Sequence, residues 1–430
     1  MHWIGPLICS GIAVMAATTA FGRTFYASPA GGGDGTSRDG PMRVAEFWDG
    51  AQPGDELVLL DGTYTGDGSM IVPPKGLHGA KGAPITIRAL NDGRVTIDGE
   101  GQRTPVLLSG NDYFVIAGLN ACRSKRSVIS INRSNHCLVR RCCGWDAADG
   151  NTNIFAAHYG EHNTFEDCAG WGVARKTYSC SQGGNYTTFR RCWGSWEGCH
   201  RVGPKMAFTL FYNSHDILAE NCIATWDGRL LQESYDVLGY DGKPFTNWSQ
   251  TPGLIKHKEN YAVDQPYGYF AMDRIDRGPT KGPRALGCIA YRLKGQRVVS
   301  VPGMFFIKCS NPGDGWIENC AALIEPGAEP VRSFRTINMD GRNLTSYGAS
   351  ESSHSAGAIE NVLTLGRDDA PPSGLVGRDR PKNGAHIYYR YVDGKLTDEA
   401  LWPWPMNERI KDLAGVDVTA TIFRLCDATG

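Results

Sequence analysis

No charge of one sign dominates this chain. Its 44 Lys and Arg stand against 45 Asp and Glu, a net charge of -1. That balance gives no case for a nucleic-acid partner or a membrane-surface protein, although a basic groove can sit inside a neutral total. Long apolar runs are missing too. After the first twenty-odd residues no stretch approaches ~18 uninterrupted apolar positions, so no membrane span is expected in the mature chain. There is no Cys-x-x-Cys pair to suggest zinc and no Gly-x-Ser-x-Gly elbow to suggest a serine hydrolase. Gly31-Gly32-Gly33-Asp34-Gly35 is glycine-rich but lacks the strand-to-helix setting of a phosphate loop. Lys and Arg are absent from Met1-His2-Trp3, yet the apolar run from Ile4 to Ala20 reads as a signal peptide over residues 1–22. The expected location is therefore secreted or periplasmic.

Glycine is abundant, with 54 residues, and the chain holds 14 Cys, 11 Trp and 17 Tyr. So many glycines fit many short turns better than many long helices. In an exported protein cysteines default to a disulfide framework, but their spacing here points elsewhere. Asn135 to Cys142, Asn163 to Cys168, Asn185 to Cys192 and His215 to Cys222 share one pattern: a polar turn residue, a short apolar-polar strand, then Cys and a small residue. Gly287-Cys288-Ile289-Ala290 and Trp316 to Ala322 repeat it. Cys142, Cys168, Cys192 and Cys222 lie 26, 24 and 30 residues apart.

One such strand cannot bury its apolar face alone, whereas stacked copies form a continuous core. The period predicts an all-β fold, a right-handed parallel β-helix, with strands ~4.8 Å apart and equivalent residues in columns. The six repeated cysteines become an inward column of small apolar groups. Cys137, Cys143, Cys180 and Cys199 fall outside it, so any disulfides are expected there. Residues 23–366 form the solenoid. Pro41 to Trp48 reads as a short amphipathic helix plugging the N-terminal end. Glu56 to Leu60, Ile85 to Ala89, Val95 to Asp98, Tyr113 to Ala117 and Ser127 to Ile131 are strands between glycine turns. The rhythm breaks over residues 228–283, a long insertion suited to a lid or binding loop. Residues 367–430 lose the repeat and read as a C-terminal cap over the last coil, with Trp402 to Pro405 and a helix-like run from Met406 to Leu413.

Phe25-Tyr26-Ala27-Ser28-Pro29, the stretch Pro53 to Tyr64, Gly82 to Ala89 and Val95 to Gly99 resemble the opening coils of the pectate lyase superfamily. The nearest group is that of the alginate lyases and chondroitinase B. The resemblance covers about residues 25–120 and implies fold more than reaction, since such scaffolds also carry hydrolases, epimerases and binding proteins. In that group a strand Lys acts as base and an Arg about one coil later assists. Ile307-Lys308-Cys309-Ser310-Asn311 resembles the Lys strand, with Arg332 or Arg335 near the next coil. The acidic calcium ligands that the resemblance places before this Lys are absent, and Val301 and Gly303 occupy that stretch.

The segments after the cysteine column offer a second site. Columns are expected to align Asp146, Glu197 and Asp227, with Trp145, Trp171, Trp196 and Trp226 beside them and Arg175, Lys176, Arg201 and Lys205 interspersed. β-Elimination on a uronate needs a cation for the carboxylate, a base for the adjacent proton and a donor for the leaving oxygen. Lys176, crowded by Arg175, is the expected base. Arg201 stabilises charge, with His200 as proton donor. Arg175, the four Trp, Lys205 and Lys308 are the expected substrate contacts. Asp146, Glu197 and Asp227 are candidate ligands for calcium. Against this, stacked Trp can simply pack on one another, and His158 or His162 is more often an incidental surface histidine. The leading reading is a monomeric lyase acting on an acidic polysaccharide. Its rivals are an inverting glycoside hydrolase using Asp146 with Asp149 or Glu197 with Asp227, and a non-catalytic solenoid that binds glycan or assembles with itself.

Overall fold

A single left-handed residue makes the bend that closes each repeat. In the computed structural model, which describes residues 22–148, 151–195, 205–210, 213–226, 266–272, 282–294 and 303–426, the residue before each repeated cysteine has positive φ. Arg141 (51°), Asp167 (52°), Arg191 (49°), Asn221 (48°), Gly287 (62°) and Asn319 (51°) stack at this corner. The bend turns the next residue inward, and that residue is the cysteine. Each Cys Sγ donates to the carbonyl two residues back and to a carbonyl of the preceding coil, as Cys192 does to Arg190 O (3.5 Å) and Phe165 O (3.4 Å). A thiol is small enough for the corner and still offers a weak donor to a buried carbonyl.

The strands form three parallel columns. The first runs from Glu56–Leu59 through Leu138–Arg140 and Thr188–Arg190; the second includes Cys143–Trp145, Ala169–Trp171 and Trp193–Ser195. Late in the chain, Gly315–Ile324 spans both columns. The third sheet stacks Val106–Ser109, Ile129–Asn132, Asn153–His158, Lys176–Ser181, Lys205–Leu210, Pro266–Met272, Phe305–Lys308, Phe334–Ile337 and Ser353–Ser355 in that order. The expected right-handed parallel β-helix is the fold. The helix Val44–Phe47 buries Val44 and Phe47 in the main core, as expected of an end plug.

Inside the third sheet the core is a ladder of rings. Phe155, Tyr178, Phe208, Phe270, Phe305 and Phe334 stack at centroid spacings of 4.8, 4.5, 4.7, 4.8 and 5.1 Å. The strand spacing sets the ring spacing, so identical columns give stacked rings without adjustment. Room comes from aligned glycines on the facing sheet: a Cβ at Gly170 would lie 2.7 Å from the Thr177 methyl and 3.2 Å from the Phe155 ring.

Four expectations change. Cys137, Cys143 and Cys180 are not disulfide partners; each is a buried thiol packed in the core, as are nine other described cysteines. The insertion at 228–283 is not wholly a lid, since Pro266–Met272 is a strand of the third sheet and Phe270 belongs to its ring ladder. The C-terminal segment does not sit over the last coil. It runs back along the flank, with Ala385 N on Thr345 Oγ1, Tyr391 N on Asn221 Oδ1, an Asp393–Arg190 ion pair, and Arg409 bonded to the carbonyls of Gly118 and Arg141. Its helices are Asn407–Ala414 and Val418–Cys426. The fourth change concerns the tryptophans. Trp145 and Trp171 stack at 5.2 Å, but they pack into the cluster formed with Leu375, Ile387, Trp404 and Ile410 of that flanking segment. They are interface packing, not a sugar platform.

Candidate functional site

Alternation along a strand normally sends every second side chain outward. The strands Asn153–His158 and Lys176–Ser181 break it once. Ile154 and Phe155 are both core residues, and Thr177 turns its methyl toward Gly170 while Tyr178 joins the ring ladder. The skipped step returns Asn153 and Lys176 to the outer face shared by His158, Ser179 and Ser181, as a register change of one residue must. Asn153 and Lys176 are register partners.

That outer face carries a groove of about 810 Å³ lined by Asn151, Asn153, His158, Arg175, Lys176 and Ser181 among others. Tyr159, half-exposed at its rim, lies 4.7 Å under the Arg133 guanidinium. Lys176 is only 4% exposed. Burial, and then the charge of Arg175, holds its amine well below the usual lysine range, so a neutral amine is favoured. His158 Nε2 stands 3.2 Å from Ser179 Oγ. Burial, and then the Lys176 charge, lowers the imidazole to about 4. Arg175 donates from Nη1 to Asn151 Oδ1 at 2.5 Å. Asn153 donates from Nδ2 to Ser127 Oγ at 3.3 Å, while its own buried Oδ1 has no partner among the described residues. A buried acceptor without a donor costs about 1–3 kcal/mol, so this atom is poised for a ligand hydroxyl.

The structure gathers Lys176 and Arg175 of the expected site and separates them from Trp145 and Trp171, which lie on the flank. Lys205 opens the strand Lys205–Leu210 and Trp226 closes Ile223–Trp226. His200, Arg201, Trp196, Glu197, Asp227, Asp149, Cys199 and the signal peptide lie outside the described residues. Asp146 is engaged by the backbone. Its Oδ1 accepts from Val173 N at 3.1 Å, in space left by Gly172, whose Cβ would lie 2.4 Å from that oxygen. Burial raises its carboxyl, which is poor chemistry for a calcium ligand, and no three His, Cys, Asp or Glu come together among the described residues. Lys308 is exposed on the third sheet. Register places it in the Ser181 column three strands on, ~14 Å away. Arg332 there pairs with Glu351 (Nε–Oε1 2.7 Å), and Arg335 lies over Phe306. His158 was legible only as a surface histidine, and Asn153 and Ser179 carried no signal until the coils were aligned by register.

Residues 42–177 match the family described as Chondroitinase B. That span ends within the groove strand carrying Lys176. The chain is similar in three dimensions to the pectate lyase Pel9A, with 17% identity and a TM-score of 0.53 over 79% of this chain and 78% of that one. It also resembles an alginate lyase from Paenibacillus sp. str. FPU-7 (13% identity, TM-score 0.46, 79% and 99% of the two chains). A third likeness is to the PL6 family alginate lyase AlyGC (13%, 0.37, 79% and 40%). No curated protein matches by sequence. At such identities the solved structures speak for the fold. The chain is a right-handed parallel β-helix protein, and its residues 42–177 carry the chondroitinase B family pattern.

Proposed function

We propose that the protein is a secreted or periplasmic polysaccharide lyase that cleaves a uronate-containing glycan by β-elimination in the groove over Asn153–His158 and Lys176–Ser181. The observation that carries this reading is Lys176, a buried lysine at the floor of a groove of about 810 Å³, where burial and the Arg175 charge hold its amine well below the usual lysine range. The lyase names of the similar proteins agree with it.

Arg175 binds the substrate carboxylate, which makes the adjacent C–H more acidic. Neutral Lys176 removes that proton, the electron pair forms the new C=C bond, and the C–O bond to the leaving sugar breaks. The leaving oxygen takes a proton from the ammonium now on Lys176 or from His200. Arg201 stabilises the developing charge. Asn153 Oδ1 accepts a sugar hydroxyl. No described groove residue is Asp or Glu, so the paired-carboxylate hydrolase gains no support here. No step is routed through calcium.

Incubation with alginate, pectate, glucuronan and glycosaminoglycans, followed by ultraviolet absorbance, tests the reading, because elimination leaves a conjugated double bond. Lys176→Ala is expected to lose activity ~100- to 10,000-fold while folding normally. Loss in Lys308→Ala alone would move the site to the later coils.

A further inference from the structure

The groove does not stop at Lys176. Asn153 and Lys176 are register partners on adjacent strands, and Ser127, just before the strand Ile129–Asn132, accepts from Asn153 N at 3.1 Å and so continues the column; Lys125 and Arg126 immediately precede Ser127. These two cations line a second depression of about 350 Å³, together with Arg103, Leu107 and Val72. Leu107 is on the outer face of the strand Val106–Ser109, which pairs with Ile129–Asn132. The depression therefore lies on the same sheet, toward the N-terminal end of the solenoid.

Its charges differ in kind. Arg103 is engaged, with Nε on Asp67 Oδ1 at 2.5 Å and Nη1 on Glu100 Oε2 at 2.6 Å. Lys125 and Arg126 are exposed and make no ion pair among the described residues. Between them lies an apolar floor, where Val72 is 41% exposed beside Leu107. Two cations without an acidic partner among the described residues, over an apolar floor, suit a pyranose ring that carries a carboxylate on its edge and C–H groups on its face.

We propose that Lys125 and Arg126 form an anionic-sugar subsite that extends the Lys176 groove, so that the enzyme grips the interior of a polyanionic chain. This rests on the lyase reading above. A sugar in an extended chain spans about the ~4.8 Å between strands. Two strands separate the Ser127 and Lys176 positions, so the sugar held by the cations lies about two residues from the reacting one. Substrates must then reach beyond the reacting unit on that side to be bound well. The site favours cleavage within long chains over trimming of short ends.

The test compares wild type with the Lys125→Ala/Arg126→Ala double variant. Lys382→Ala/Lys395→Ala, two exposed cations on the flanking segment, controls for net charge. Affinity electrophoresis through gels containing alginate, pectate, glucuronan or chondroitin sulfate reads binding without turnover. KM on a size series of oligosaccharides from the cleaved polymer reads length dependence. The double variant is expected to bind the retained polymer ~10- to 100-fold more weakly, with a shallower salt dependence because two fewer cations neutralise the polyanion. Its KM should rise for long oligosaccharides and not for those too short to reach the subsite. Equal loss at every length, or retention equal to the charge control, overturns the proposal. If wild type is retained but releases no unsaturated product, the lyase reading fails, and the subsite stands only if retention still depends on the two cations.

Discussion

Replacing Lys176 by methionine should make the protein more stable and inactive at once. Methionine matches the length of the lysine stem and brings no charge. In the wild type, both causes acting on the Lys176 amine, burial first and the Arg175 charge second, push its basicity down. Each unit of that lowering costs the fold about 1.4 kcal/mol of linkage below the unfolded pKa. Substituting an apolar group of like shape for a buried charged group held far below its usual basicity is neutral to favourable, so a gain of about 1–3 kcal/mol at pH 7 is expected. Urea unfolding followed by circular dichroism reads it as a higher midpoint at unchanged slope.

The pH dependence makes the reasoning sharper. A lysine with a depressed folded pKa carries no penalty above its unfolded pKa of about 10.4. The penalty grows as pH falls toward the folded pKa and is constant below it. The stability difference between variant and wild type should therefore open as pH drops from about 10 and then level off. The acid limb of kcat/KM in the wild type should fall at the pH where the difference levels off, since both report the same amine. A lowered midpoint in Lys176→Met would refute the reasoning, because it would make the lysine a structural anchor. So would retained turnover in a folded variant.

Asn153→Leu removes an orphaned acceptor, so stability should hold or rise while KM for the cleaved glycan increases about 10-fold; loss of stability would mark a structural asparagine. His158, neutral in the fold at about 4 against 6.5 when free, should make the protein less stable as pH falls from 6.5 to 4. The loss is about 2–3 kcal/mol after discounting for the solvent the half-buried ring keeps, and His158→Gln should flatten it in pH-dependent urea melts. The twelve described thiols are buried, and burial pushes Cys142 and Cys180 up to about 12. A thiol reagent should therefore find almost none in the native protein and at least twelve after unreduced denaturation.

The solenoid was readable because a column repeats its demand in every coil. Cys142, Cys168, Cys192 and Cys222 all sit one residue past a left-handed bend, so the same steric request appears four times in the chain. Lys176 was readable by charge crowding with Arg175, a local pattern. The place of Trp145 and Trp171 was not, because their partners Leu375, Ile387 and Ile410 lie more than 200 residues away and no periodicity links them. Asp146 misled for a related reason. A carboxylate after a Trp looks like a ligand until Gly172, one coil on, is seen to cradle it. The double inward step at Ile154-Phe155 and Thr177-Tyr178, which aims Lys176 at the groove, reads in sequence as an ordinary apolar run.

The flanking C-terminal segment also changes how the molecule comes apart. A stack of coils that touch only their neighbours can fray from either end, one layer at a time, through a nested series of partly folded forms. Here the segment from Ala385 to Arg409 ties the coil of Thr345 to those of Asn221, Arg190, Arg141 and Gly118. Loosening the last coil therefore loosens a strap that the early coils also hold. The strap is synthesised after every coil it binds, so the quasi-one-dimensional stack becomes a cooperative unit only when that segment has docked.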